Sequence, residues 1–196
     1  MKAKAILLSI AIAATVFTGC AAKEEPKTPA TDKPATEAKT ETKTDVVTTA
    51  SLVKDTAAFE KALGKEGTWI IATLNDITTT NELVLEGEFK NGKKDEKTGA
   101  DLIQRKIAPY TQKKNAEGKN EVVDRFTITA PKLTIKSPVA RLQAGTFKGD
   151  IYVETTDFQL VDAKVDGNIY FASEEAKAGF KMDEKSTVTG KQEVKK

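Results

Sequence analysis

Four sets of side chains in this 196-residue chain have types and spacings that could do chemistry. Cys20 is the only cysteine, so it can form no disulfide within the chain and stands as a lone thiol open to acylation. Asp150, Asp166 and Asn168 gather oxygens around Gly149 and Gly167. Such a group could hold a weakly bound Ca²⁺, or it could serve its own turns, which favour Asp and Asn beside Gly; we take the turn role. Tyr152 and Tyr170 lie 18 residues apart at equivalent places in a repeated motif, an aromatic pair that could receive a glycan or a partner protein. Finally, Asn91 to Gly99 and Lys113 to Asn120 are lysine-rich and could meet an anionic polymer, although solvated loops have the same composition and are the reading we adopt.

What is missing narrows the chemistry further. There is no histidine, which removes imidazole acid–base work, Ser-His and Cys-His nucleophile pairs and imidazole metal sites. Arg105, Arg125 and Arg141 are the only arginines, and none has an acid cluster beside it in sequence. Hydrolysis or elimination on polysaccharides needs paired carboxylates, or carboxylates with Ca²⁺ and a base, and the candidates are few. We therefore assign no catalytic, metal or cofactor-binding residue, and expect a protein that is not an enzyme. A polysaccharide lyase or glycosidase is the alternative.

The elements that must position the tyrosines are set by a repeat. Leu133-Thr134-Ile135, Ile151-Tyr152-Val153 and Ile169-Tyr170-Phe171 share an apolar, outward, apolar pattern at 18-residue spacing. Ala140/Leu142 recur as Phe158/Leu160, Phe147 as Val165, and Gly149 as Gly167. Residues i and i+2 lie on one face of a strand, so each unit supplies three short strands at offsets of about zero, seven and fourteen. A chain that turns three corners and returns above its start builds a triangular coil. Its parallel strands stack about 4.8 Å apart. One such unit cannot bury its apolar face alone and needs neighbours above and below. Glycine suits the corners. A β-sandwich of antiparallel hairpins ranks second, because hairpins give no reason for fixed spacing in three apolar sets.

From Lys132 to Gly190 this pattern resembles the single-stranded right-handed parallel β-helix. The predicted fold is mainly β: a short β-helix of 18-residue coils with an N-terminal capping helix, preceded by a signal peptide and a disordered linker. The stacking also resembles polymer-forming bactofilin-type domains, which would imply end-to-end association. An export signal, an N-terminal cap and a charged tail depart from that family.

The N-terminus sets the expected address. Lys2 and Lys4 precede an apolar run from Ala5 to Phe17, interrupted by Ser9 and Thr15. At about 1.5 Å per residue the run is too short for a bilayer core of about 30 Å, but it has the length and flanks of a signal peptide. It ends in Phe17-Thr18-Gly19-Cys20. This resembles the bacterial lipoprotein signal with its lipobox, although that family more often has Leu where Phe17 stands. The resemblance implies cleavage after Gly19 and diacylglyceryl attachment to Cys20, with N-acylation in some bacteria. Lipid on Cys20 would hold the protein to a bilayer on the extracytoplasmic side of the cell membrane, since two or three acyl chains anchor stably. The other reading is an ordinary signal cut near Ala22, which discards Cys20.

The expected boundaries are a signal peptide over 1–19, a lipidated Lys/Thr/Glu/Pro linker over 20–50, a β-helix over 51–190 and a charged tail over 191–196. The linker has no aromatic residue and no Leu or Ile, so it buries too little to offset its ordering entropy. Glycosylation of its threonines and a wall-spanning role both stay open. Asp55 predicts an N-cap for a helix over Thr56 to Leu63, closed by Gly64 and covering the open end of the coil. Trp69 to Ala72 reads as a buried strand, with Trp69 placed in the core rather than as a sugar platform. Asp76-Ile77 and Leu83-Val84-Leu85 follow as strands, and the period breaks over Glu88 to Asp124. Without Lys2 and Lys4 the 31 basic residues become 29 against 29 acidic, a balance that argues against a nucleic-acid partner. A lipid bilayer, and a glycan or an envelope protein, are the partners the sequence supports.

Overall fold

The computed structural model describes residues 50–195, so the signal peptide, Cys20 and nearly all of the expected linker lie outside the described residues. The chain opens with strand β1 (Ala50–Val53), helix α1 (Thr56–Leu63), and strands β2 (Ile70–Thr73), β3 (Ile77–Thr78) and β4 (Leu83–Leu85). A hairpin of β5 (Lys90–Lys94) and β6 (Asp101–Ile103) leaves the coil, which resumes at β7 (Arg105–Ala108). A second hairpin follows, β8 (Tyr110–Lys114) and β9 (Asn120–Arg125). The regular part runs through β10 (Thr127–Ile135), β11 (Ala140–Gln143), β12 (Thr146–Val153), β13 (Gln159–Val161), β14 (Lys164–Asp166) and β15 (Ile169–Phe171). Helix α2 (Glu174–Ala178) and strands β16 (Lys181–Met182), β17 (Thr187–Val188) and β18 (Gln192–Val194) complete it.

Apart from the two antiparallel hairpins, these strands stack in parallel as a β-solenoid with three ladders. One is β1-β2-β7-β11-β13-β16. The second joins β3, the first half of β10, the first half of β12, β14 and β17. The third joins β4, the second halves of β10 and β12, β15 and β18. The 18-residue register is as the sequence predicts: Leu133 pairs with Ile151 and Ile151 with Ile169, while Phe147 pairs with Val165 and Leu142 with Leu160. The interior columns extend below the repeat, because Leu83 underlies Leu133 and Ile71 and Ile107 underlie Leu142. All of these inward side chains belong to one buried apolar cluster. Burying each is worth roughly 1.5–3 kcal/mol, which is what sets the register.

The corners use two devices. At the bend inside β12, Gly149 has φ +139°, and a Cβ there would collide with the Ala130 carbonyl; one coil later, a Cβ on Gly167 would collide with the Gly149 carbonyl. The other corners are left-handed but carry ordinary residues, Val139 (φ 49°) and Asp157 (φ 60°), then Ala144 (φ 56°) and Asp162 (φ 52°), each pair again 18 residues apart. The expectation that glycine makes the corners therefore holds at one of them.

The N-terminal cap forms as expected. Asp55 accepts the Ala58 N–H at 2.8 Å, and Phe59, Ala62 and Leu63 are buried against the apolar cluster. Side-chain bonds lash the helix to the β3–β4 segment: Thr56 donates to the Thr78 carbonyl, and Thr79 and Asn81 both donate to Glu60. Gly64 ends the helix in extended geometry (φ −73°, ψ −179°) rather than left-handed.

Three expectations are corrected. The residues after Gly190 are not a free tail, because Gln192, Glu193 and Val194 pair with Ile169, Tyr170 and Phe171. The strand β1 was not foreseen and begins at Ala50, one residue inside the expected linker. Trp69 does not enter the coil interior. It stands just before β2, its carbonyl accepts the Lys106 N–H, and it is half-buried against a smaller outer cluster of Ile70, Ala72, Ala108, Tyr110 and Ala144. The β8–β9 hairpin folds over that outer face, bringing Tyr110 and Val122 to it.

Candidate functional site

The third ladder presents three outward columns. The middle one reads Val84, Thr134, Tyr152, Tyr170, Glu193. Alternation sends both tyrosines out while Ile151, Val153, Ile169 and Phe171 go in. The two rings stack at 4.9 Å between centroids, tilted by 45°. This is the juxtaposition the sequence predicts.

On one side of the tyrosines lies an Asx ladder. The Asp150 Oδ1 accepts both the Asn168 backbone N–H and its Nδ2, each at 2.9 Å, and the Asn168 Oδ1 accepts the Lys191 N–H at 2.9 Å. Asp166 accepts the Thr189 hydroxyl. These bonds hold successive corners together, the turn role expected of these residues. Among the described residues no group of three or more His, Cys, Asp or Glu could hold a metal ion.

On the other side runs a column of Lys136, Glu154, Ala172 and Lys195, whose N–H groups bond in turn to Leu85, Ile135, Val153 and Phe171. Long charged side chains fill it except at Ala172. The gap forms a groove of about 250 Å³ lined by Tyr152, Val153, Glu154, Tyr170, Ala172 and Lys195. The Lys195 ammonium lies 4.5 Å from the Tyr170 centroid and 5.8 Å from that of Tyr152. Lys132 approaches Tyr152 from the opposite side at 5.5 Å, but it is paired with Glu82, whose hydrogen bond raises its pKa. Lys136 and Glu154 approach to 3.8 Å.

Sequence reasoning missed Glu154, Ala172 and Lys195. The column was hidden because the last coil is longer: Asn168 is followed by Lys191 at a spacing of 23, α2 having been inserted, and the period past Gly190 goes unread unless that insertion is removed. Cys20 lies outside the described residues.

The arginines are structural. Arg125 pairs with Asp162 across the coil, and Arg141 donates from Nε and Nη2 to the Gln159 Oε1 at 3.0 and 2.6 Å. Partial burial lowers the Arg141 pKa. On the hairpins, Lys90 and Lys94 both pair with Asp101, and Lys119 with Glu117, in keeping with solvated surface.

Comparison of the chain with protein-family models, with curated proteins and with solved structures finds no match.

Proposed function

We propose that this protein is a membrane-anchored, extracytoplasmic lipoprotein whose β-solenoid, taken as right-handed like other parallel crossover folds, carries a non-catalytic binding face. Lipid on Cys20 holds it to the bilayer, and the linker that follows spaces the solenoid from the surface. The observation that carries the binding reading is the Tyr152–Tyr170 stack beside the groove at Ala172. Aromatic rings on a rigid ladder give a large contact surface at little entropic cost, which suits a glycan or an envelope protein. The groove lining contributes one carboxylate, Glu154, where glycoside hydrolysis uses two.

Anchoring and binding are tested separately. Cys20→Ala moves the protein from the membrane to the soluble fraction of the source bacterium if the lipid holds it; unchanged retention refutes the anchor. A glycan-array screen of the full chain beside its Tyr152→Ala/Tyr170→Ala variant reads out the face. Signals equal in the two proteins refute it.

A further inference from the structure

The ligand's chemistry can be narrowed from the groove itself, on the footing that the tyrosine face binds. The outer column is occupied by Lys136, Glu154 and Lys195 and is interrupted by the methyl group of Ala172. The result is a notch with the Ala172 methyl as its apolar floor, an aromatic wall, a carboxylate at one end and an ammonium at the other. The two cations near the rings differ. Lys132 is engaged by Glu82, whereas the Lys195 ammonium rests on the Tyr170 ring and forms no ion pair with any described residue. A cation resting on a partly exposed ring is weakly held and can turn to an incoming anion, whose charge-assisted hydrogen bond is stronger. A cationic ligand would instead have to displace Lys195 from the ring it occupies. At about 250 Å³ the notch is smaller than the 300–1,000 Å³ of pockets that enclose drug-sized ligands, so it suits one ring with an appendage.

We propose that this groove binds a single acidic sugar unit of a glycan. The C–H face of the ring lies on the tyrosines, a carboxylate or phosphate pairs with Lys195, and a hydroxyl donates to Glu154. Lys195 is the residue that selects for charge, and the tyrosines are the residues that hold the ring.

The test titrates the full chain, by chemical-shift or calorimetric readout, with tetragalacturonate (carboxylate), a pentamannose phosphate (phosphate) and maltotetraose (neutral). At least one acidic probe binds about tenfold or more tighter than maltotetraose, and the preference shrinks with added salt; whichever acidic probe binds names the anionic group. Lys195→Gln removes the preference, and Tyr170→Ala weakens every probe about tenfold. Both side chains lie on the outer surface, and matching circular dichroism spectra confirm that the variants fold. Maltotetraose binding as tightly as both acidic probes, with Lys195→Gln silent, overturns the acidic assignment and leaves the binding face standing. Binding that Tyr170→Ala does not weaken, or no binding by any probe, overturns the groove assignment. The glycan-array comparison then decides the face independently, because an array signal lost in the double tyrosine variant sustains it.

Discussion

Arg105 reaches 43 residues back along the chain to donate its Nη2 to the Ala62 carbonyl, at the last turn of α1. The same guanidinium donates to the Gly64 and Glu86 carbonyls at 3.1 and 3.2 Å and lies 3.9 Å from the Phe89 centroid. No carboxylate pairs with it among the described residues. Its charge is held by the negative end of a helix and an aromatic face. Burial pushes its pKa down to about 10, and its Nε has no hydrogen-bond partner. Arg105→Ala would leave those carbonyls unsatisfied and is expected to cost about 3 kcal/mol or more in urea unfolding. Amide exchange in α1 should speed up in step. A loss under about 1 kcal/mol would show that the cap is held by apolar packing alone.

Ile151 is fully buried between Leu133 and Ile169. Ile151→Ala leaves a cavity that rigid ladders cannot close and is expected to cost about 2–5 kcal/mol. Its neighbour Tyr170, facing outward, should cost no more than about 1.5 kcal/mol on truncation to Ala. Equal losses at the two positions, read from denaturant midpoints, would contradict the inside–outside assignment.

Gly149→Ala tests the bend in β12. The added methyl meets the Ala130 carbonyl of the coil below, and φ +139° is unfavourable for alanine. We expect a loss of about 2 kcal/mol or more in melting experiments, and the same for Gly167→Ala. Val139→Gly should go the other way, because a β-branched residue at φ 49° is strained; a gain of about 0.5–1 kcal/mol is expected.

Acid is expected to loosen the closing coil through Asp183. Hydrogen bonds from the Ser186 hydroxyl and the Asp162 N–H hold its pKa below the ordinary 3.8. A carboxylate whose folded pKa is depressed contributes stability that is present above the unfolded value and lost as pH falls through the folded one. The melting temperature should therefore drop below about pH 4. Asp183→Asn should lower the neutral-pH value and flatten the acid limb. An unchanged limb would place the acid sensitivity elsewhere.

The stacking of Leu133, Ile151 and Ile169 and the meeting of Tyr152 with Tyr170 were legible because strand alternation and a constant 18-residue advance fix both face and rung. The cap was legible because Asp55 and the apolar spacing of α1 are local signals. What escaped was whatever the period does not govern. Val139 and Asp157 carry no mark of a left-handed corner. Trp69 packs on the outer face, and the hairpin that shelters that cluster is tied to it only by tertiary contact. Lys195 was displaced from its column by the residues of α2. Arg105 was read only as an arginine with no acid cluster beside it, because nothing nearby in sequence announces a helix end waiting for it.

On its inner face the stretch from Ile151 to Asn168 meets apolar partners both above and below. It is thus an interchangeable storey. A gene carrying this stretch twice in tandem would raise the spiral by one level, about 4.8 Å, with every inner pillar continuous and one further tyrosine added to the outer row. Height, and the length of that aromatic row, are quantities this architecture can change by duplication without redesign.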